Sequence, residues 1–205
     1  MKPAQRPDKK PIPEAYHKQI NAVRQFALRC RYEQGHSEQV TRLAELLFDQ
    51  LQPLHGFTES ERFLLTCGGI LHDIGWAEGQ SKHHKTSMRM ILEDTTMPLD
   101  QTQRIMVALI ARYHRKALPE PEHPCYGEMK ESDQYKVRLL AGMVRLADGL
   151  DRGHVNAISG LTVQTGARRI TIHCDKRGSA VEELHYGKAK ADLLEEVLGY
   201  TVDIV

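Results

Sequence analysis

Residues 69–75 read Gly-Ile-Leu-His-Asp-Ile-Gly and contain an adjacent histidine and aspartate, His72 and Asp73. Such a pair can place an imidazole nitrogen and a carboxylate oxygen on the same divalent metal ion. Two further candidate ligands, His36 and Asp148, lie far from the pair along the chain. Apolar residues at helical spacing adjoin both of them, so a core-packed helix could hold each ligand in place. The sequence therefore predicts one metal site formed by His36, His72, Asp73 and Asp148.

The order and context of these four residues resemble the HD superfamily of metal-dependent phosphohydrolases, an all-helical group. A narrower resemblance rests on Pro-Leu-His-Gly-Phe at 53–57, His-His-Lys at 83–85, Arg-Tyr-His-Arg-Lys at 112–116 and Arg-Leu-Ala-Asp-Gly-Leu-Asp-Arg at 145–152. These segments resemble the C-terminal HD region of exopolyphosphatase and guanosine pentaphosphatase proteins, over roughly residues 15–205. The actin-like domains that carry catalysis in those longer proteins have no counterpart in this sequence, so we expect the HD domain to act alone.

The resemblance implies a second metal site, because two-metal members of the superfamily complete one with two more histidines and a bridging aspartate. His84 and His114 are the candidates here, with His83 as the substitute for His84. His84 could instead contact phosphate or lie on the surface, and His114 could contact substrate or simply end a helix. Imidazole and carboxylate ligands leave coordination positions open for water and substrate, and they suit Mn²⁺, Fe²⁺, Co²⁺, Ni²⁺, Zn²⁺ or Mg²⁺. We therefore expect one or two divalent metal ions.

Basic residues accompany these candidate ligands. The predicted substrate-binding residues are Lys82, Lys85, Arg112, Arg115, Lys116 and Arg145. Arginine forks and lysine charges commonly bind phosphoryl oxygens, but basic residues at 112–116 could also interact with the dipole at a helix end. Arg145 could orient either Asp148 or a phosphate. Asp151 could be a base beside the ligands or only the end of its helix, and we favour the helix end.

The chemistry predicted from this pattern is metal-assisted hydrolysis of a phosphate ester or anhydride, with a nucleotide or polyphosphate-type substrate. The predicted catalytic residues are Asp73, His114, Arg115 and Lys116. A second interpretation is a non-catalytic, metal-containing HD module that binds polyphosphate or a guanosine nucleotide, since the HD region is not the catalytic part of the longer proteins it resembles. A third is an adaptor protein whose metal only joins helices.

The fold class follows from local patterns. Helices are predicted over residues 14–34, 37–52, 59–74, 84–95, 100–116 and 133–150, with Gly35 between the first two and a capping box from Thr58 to Glu61. Strands at 158–163 and 169–173 around a Gly166 turn precede a helix at 181–198 and a strand at 200–205. We expect a mainly α fold, an HD-domain helical bundle at 14–155, with a small C-terminal β-β-α-β subdomain at 156–205. That subdomain is expected to have a structural or homodimer-forming role, whereas the loops at 75–83 and 117–132 are expected to select the substrate.

Composition bears on the N-terminal arm, the expected partners and the location of the protein. The first 13 residues hold four prolines and four basic residues and are predicted to be a disordered arm. A net charge of +1 gives no strong field for duplex nucleic acid, so the expected partner is a phosphate-containing small molecule or polyphosphate. No apolar run approaches the ~18 residues that span a bilayer, and the N-terminus has no apolar signal-peptide core. The four cysteines form no CxxC pair, so we expect reduced thiols and a cytoplasmic protein.

Overall fold

The computed structural model describes residues 10–205, which form eight α-helices and one three-stranded sheet. The helices are α1 (Glu14–Arg29), α2 (Gln34–His55), α3 (Glu59–Leu71), α4 (His83–Glu93), α5 (Gln101–Tyr113), α6 (Glu131–Gly149), α7 (Val181–Ala189) and α8 (Asp192–Leu198). The strands are β1 (Ile158–Gly166), β2 (Arg169–Lys176) and β3 (Thr201–Ile204), and a short 3₁₀ helix, Ile74–Glu78, follows α3. The prediction of a mainly α fold with a small C-terminal appendage is confirmed.

Helix α3 lies at the centre of the bundle and contacts α1, α2, α5 and α6. Residues 61–71 of this helix are all buried, as expected for a helix with apolar residues around most of its circumference. A glycine permits its close approach to α2, because a Cβ atom at Gly69 would lie 2.7 Å from the hydroxyl oxygen of Thr41. The helix ends at Leu71, so His72 and Asp73 follow directly from the most buried segment of the fold.

Several helix boundaries differ from the predicted ones. Helix α1 ends at Arg29 instead of residue 34, because Arg31 adopts a left-handed conformation with φ 54°. Gly35 consequently lies inside α2 and does not separate the two helices. Helix α2 also continues through Pro53 to His55. The predicted capping box at the start of α3 is confirmed, with Thr58 and Glu61 bonded reciprocally.

The C-terminal segment is attached to both α2 and α6. Strands β1 and β2 form an antiparallel hairpin, and β3 runs parallel to β2 on its other side. The Gln39 side chain of α2 donates to the Ile158 carbonyl of β1, and α7 and α8 pack against α6. The predicted single helix at 181–198 is wrong, because Lys190 and Ala191 separate α7 from α8. The order is therefore β-β-α-α-β.

The N-terminal arm predicted over residues 1–13 falls largely outside the described residues, which begin at Lys10. The Lys10 backbone N–H donates to Asp49, and its carbonyl accepts from Arg62. Within residues 10–205, no helix is both long enough and apolar enough to cross a membrane.

Candidate metal centre

Six buried histidine and aspartate side chains converge where helix ends meet. They are His36 in the first turn of α2, His72 and Asp73 directly after α3, His83 at the start of α4, His114 directly after α5, and Asp148 in the last turn of α6. None is more than 9% exposed, so each has lost most of its contact with water. Buried polar groups at this density require partners, and a bound cation is one way to supply them.

The first group of ligand atoms comes from His36, His72, Asp73 and Asp148. The Nε2 atoms of His36 and His72 lie 3.3 Å apart, and Asp73 Oδ2 lies 3.8 Å and 3.6 Å from them, respectively. Asp148 Oδ1 lies 3.3 Å from His36 Nε2 and 4.0 Å from His72 Nε2. Ligands bound at about 2.1 Å to one metal ion would be roughly 3.0–3.4 Å apart at neighbouring positions, so these atoms are close to the spacing that a shared ion needs.

The second group shares Asp73 with the first. Asp73 Oδ1 lies 3.0 Å from His83 Nε2 and 3.4 Å from His114 Nε2, and the two nitrogens are 3.4 Å apart. Asp73 thus presents one oxygen to each group. Its Oδ1 atom is buried without a hydrogen bond, which a bound cation would remedy. The structure therefore brings His83 and His114 to Asp73.

Hydrogen bonds on the far side of each imidazole determine which nitrogen is free. The Nδ1 atoms of His72, His83 and His114 face the carbonyl oxygens of Gly69, Gln80 and Ala111 at 2.7, 3.1 and 2.6 Å. A carbonyl can only accept, so each Nδ1 carries the proton and, in the neutral ring, each Nε2 carries a lone pair. The His83 Nε2 atom also faces the Arg115 guanidinium at 3.2 Å, which can only donate. These are inward-facing acceptors, as a metal centre requires.

His36 is held by Asp151 from the opposite side. Its Nδ1 atom lies 2.9 Å from Asp151 Oδ2, and its ring stacks on His154 at 3.8 Å between centroids. Burial opposes protonation, yet Asp148 and Asp151 together raise the pKa of His36 to about 10. The interpretation of Asp151 as only a helix end is wrong, because its carboxylate orients His36.

Burial is the main cause that lowers the pKa of His72 and, more strongly, that of His114, and nearby cationic groups act in the same direction; this favours the neutral rings that bind metals. Burial would raise the pKa of Asp148, but the Lys190 ammonium and His36 hold it well below the usual range. The donor set of imidazoles and carboxylates fits a divalent cation of the borderline or hard type.

The family model of the Ppx/GppA phosphatase, domain III, matches residues 19–183. The chain belongs to this family. No curated protein matches the chain. All six converging residues fall within the matched Ppx/GppA domain III segment.

His84 lies outside both ligand groups of this Ppx/GppA domain, although it is adjacent to His83. Its Nδ1 atom is buried without a hydrogen-bond partner. Burial and the nearby Arg112 guanidinium lower the pKa of His84 to about 4, so it is not a cation at neutral pH. The structure thus places His83, the predicted substitute, where His84 was expected.

The predicted basic residues separate into two sets. Arg115 and Lys116 line a cleft of about 250 Å³ beside the candidate metal ligands. Lys82 and Lys85 are exposed at the start of α4, and Arg112 is buried beside the Tyr113 ring; none of the three lines this cleft. Arg145 forms a bidentate salt bridge with Asp192 and donates to the Lys116 carbonyl, so it holds the backbone that carries the cleft residues.

Other residues of the cleft were not anticipated from the sequence. Besides the ligand candidates and the predicted Arg115 and Lys116, the cleft is lined by Trp76, Arg152, His154, Tyr186 and Lys190. Tyr186 and Lys190 come from α7 and its C-terminal end, so the C-terminal segment contributes directly to the centre. Of the two expected selectivity loops, 75–83 contributes Trp76 and His83, whereas 117–132 contributes no lining residue.

Proposed function

We propose that this chain is a metal-dependent phosphohydrolase that acts on a phosphate ester or anhydride. The observation that carries the proposal is the convergence of seven ligand atoms, four imidazole nitrogens and three carboxylate oxygens, at the floor of a cationic cleft. At most four side chains serve each group, so coordination positions remain for water and substrate, as in hydrolytic rather than structural metal sites. The membership of a phosphatase family supports the same class of reaction.

A divalent cation in this centre would supply Lewis acidity and lower the pKa of a bound water. The chain's own residues supply the rest. Asp73 gives one oxygen to each group. Burial would raise the pKa of its carboxyl group, but His72 and His83 lower it and so keep the carboxylate ionised. Arg115, Lys116 and Arg152 place positive charge around the cleft, where they bind the phosphoryl group and offset the charge that develops in the transition state.

The substrate we propose is a nucleotide or a polyphosphate, and the cleft has features suited to each. Trp76 is 44% exposed and stacks on His83, and Tyr186 is 38% exposed with the Arg152 guanidinium 5.0 Å from its ring centre. Exposed aromatic rings beside a phosphate site can stack on a nucleobase. The cationic rim would serve a polyphosphate equally well, since every phosphate unit carries charge.

The proposal is tested by turnover with defined metals. Purified protein is stripped of metal, reloaded with Mn²⁺, Co²⁺, Ni²⁺ or Mg²⁺, and assayed on a phosphomonoester, a phosphodiester, nucleotides and polyphosphate. Release of phosphate should depend on the metal and be lost in Asp73→Ala, whereas His84→Ala serves as the neighbouring control outside both groups. If no substrate is turned over with any metal, the proposal that this chain is an enzyme is rejected.

The second candidate is a non-catalytic module that holds metal and binds polyphosphate or a guanosine nucleotide. It is favoured by the matched family model, which describes domain III of a phosphatase and so one part of a larger architecture. Metal-dependent binding of these ligands without hydrolysis would support it.

A further inference from the structure

Lys190 contacts a ligand of the metal centre from outside the helical bundle. Its ammonium group pairs with Asp148 Oδ2, while Asp148 Oδ1 faces His36 Nε2 at 3.3 Å. The side chain of Lys190 is 22% exposed and lines the same cleft as Arg115 and Lys116. It therefore lies between a metal ligand and the space in which a substrate would bind.

Contacts on both sides of Lys190 hold its backbone in place. On the N-terminal side, α7 approaches α6 so closely that a Cβ atom at Gly149 would lie 2.6 Å from the Tyr186 carbonyl oxygen. On the C-terminal side, Asp192 forms the bidentate salt bridge with Arg145 at 2.7 and 2.9 Å. The backbone of Lys190 is thus held against the end of α6, and its partly exposed side chain remains the adjustable part.

The ion pair between Lys190 and Asp148 weakens the attraction of Asp148 for a metal ion. A carboxylate that already neutralises an ammonium group offers less charge to a divalent cation, and a cation on Asp148 Oδ1 repels the ammonium on Oδ2. An anionic phosphoryl group in the cleft provides an alternative partner for the ammonium, at a site where lysine commonly serves as a point charge. Metal and phosphate would then each favour binding of the other, which is a coupling between two ligands.

We propose that Lys190 is a phosphate-binding residue that holds Asp148 when phosphate is absent and transfers to the phosphoryl group when metal and phosphate bind together. This inference rests on the proposed function, because it assigns the phosphate to the same cleft. It gives the C-terminal segment a role in substrate binding rather than only in structure.

The test measures binding, not turnover. Calorimetry records Mn²⁺ affinity with and without inorganic phosphate, and phosphate affinity of the Mn²⁺-loaded protein. In the wild type, phosphate should tighten Mn²⁺ binding. In Lys190→Met, Mn²⁺ alone should bind more tightly, phosphate should bind about tenfold more weakly through loss of one charge-assisted hydrogen bond, and the coupling should shrink accordingly. Lys190→Arg should retain part of the phosphate affinity.

Lys188→Met is the matched control, two residues before Lys190 in the last turn of α7. The Lys188 ammonium lies 2.7 Å from Glu195 Oε1 and does not line the cleft, so this variant should keep wild-type phosphate affinity and coupling. Unchanged phosphate affinity in Lys190→Met, or an equal loss in Lys188→Met, would overturn the proposal. Because no hydrolysis is required, coupling through Lys190 can hold even if every turnover assay is negative, so the two failures are distinguishable.

Discussion

At the residue scale, His83 and His84 form a matched pair for counting metal ions. His83 Nε2 faces Asp73 and His114, whereas His84 belongs to neither ligand group. We expect His83→Ala to lose one of two Mn²⁺ ions per chain, His84→Ala to keep both, and Asp73→Ala to lose both. Metal content is measured by elemental quantification after removal of free Mn²⁺. Loss of an ion in His84→Ala but not in His83→Ala would contradict the second ligand group.

Asp151 offers a test of the residues behind the ligands. Its Oδ2 atom accepts from His36 Nδ1, while Oδ1 accepts from the Asn156 backbone N–H. In Asp151→Asn the charge that orients His36 is lost, and we expect Mn²⁺ affinity to fall about 10–100-fold, as for other partners of metal-bound histidines. Competition with a fluorescent chelator measures this change.

The control for Asp151 is Asp203→Asn, which removes a surface carboxylate paired with Arg169 on the sheet. This variant should bind Mn²⁺ as the wild type does. If Asp151→Asn lowers thermal stability but keeps wild-type Mn²⁺ affinity, then Asp151 acts only through its hydrogen bond with the Asn156 backbone N–H.

At the scale of elements, the start of α3 carries a pH-dependent contribution to stability. Glu61 accepts from the Thr58 backbone N–H at 3.0 Å, and Lys136 lies 3.2 Å from its other oxygen. Burial would raise the pKa of Glu61, but Thr58 and Lys136 lower it to about 2. Because this lies below the unfolded value of about 4.3, the stabilisation is complete above pH ~4.3 and is lost as the pH falls toward 2.

Glu61→Gln isolates this charge while keeping a side chain that can still cap the helix. We expect the free energy of unfolding of metal-free protein to fall by about 1 kcal/mol at pH 7, and the difference from wild type to vanish near pH 2. Urea denaturation at pH 7, 5 and 3 measures the two curves. A difference that stays constant over this range would mean that Glu61 stabilises α3 without its charge.

The element types could be predicted because apolar spacing is a local property, but their ends could not. The left-handed backbone at Arg31 ends α1, and an arginine gives no local signal for that conformation. The choice between His83 and His84 depends on how the first turn of α4 is rotated toward Asp73, which tertiary packing decides. Lys190 could not be predicted as a cleft residue because it is 42 positions from its partner Asp148 in the sequence. Only the break between α7 and α8 and the packing of both helices on α6 bring the two side chains together.

At the scale of the whole molecule, the candidate centre joins helices from distant parts of the chain. His36 comes from α2, Asp148 from α6 and His83 from α4, so the ligands are close together only in the folded protein. The four residues of the predicted site, His36, His72, Asp73 and Asp148, do converge, with His36 and Asp148 carried by the α2 and α6 ends. An ion that binds the native arrangement and not the unfolded chain must stabilise the fold as a whole.

Metal binding should therefore raise the free energy of unfolding in a concentration-dependent way. At free Mn²⁺ equal to 100 times the dissociation constant, one site contributes about 2.7 kcal/mol, and two independent sites contribute about twice that. Urea denaturation with and without Mn²⁺ measures the change, and excess chelator should reverse it. Asp73→Ala is the decisive comparison, because the carboxylate shared by both groups is gone and added Mn²⁺ should leave its stability unchanged. If Mn²⁺ stabilises Asp73→Ala as much as the wild type, the ions bind elsewhere and the convergence of these helix ends has another cause.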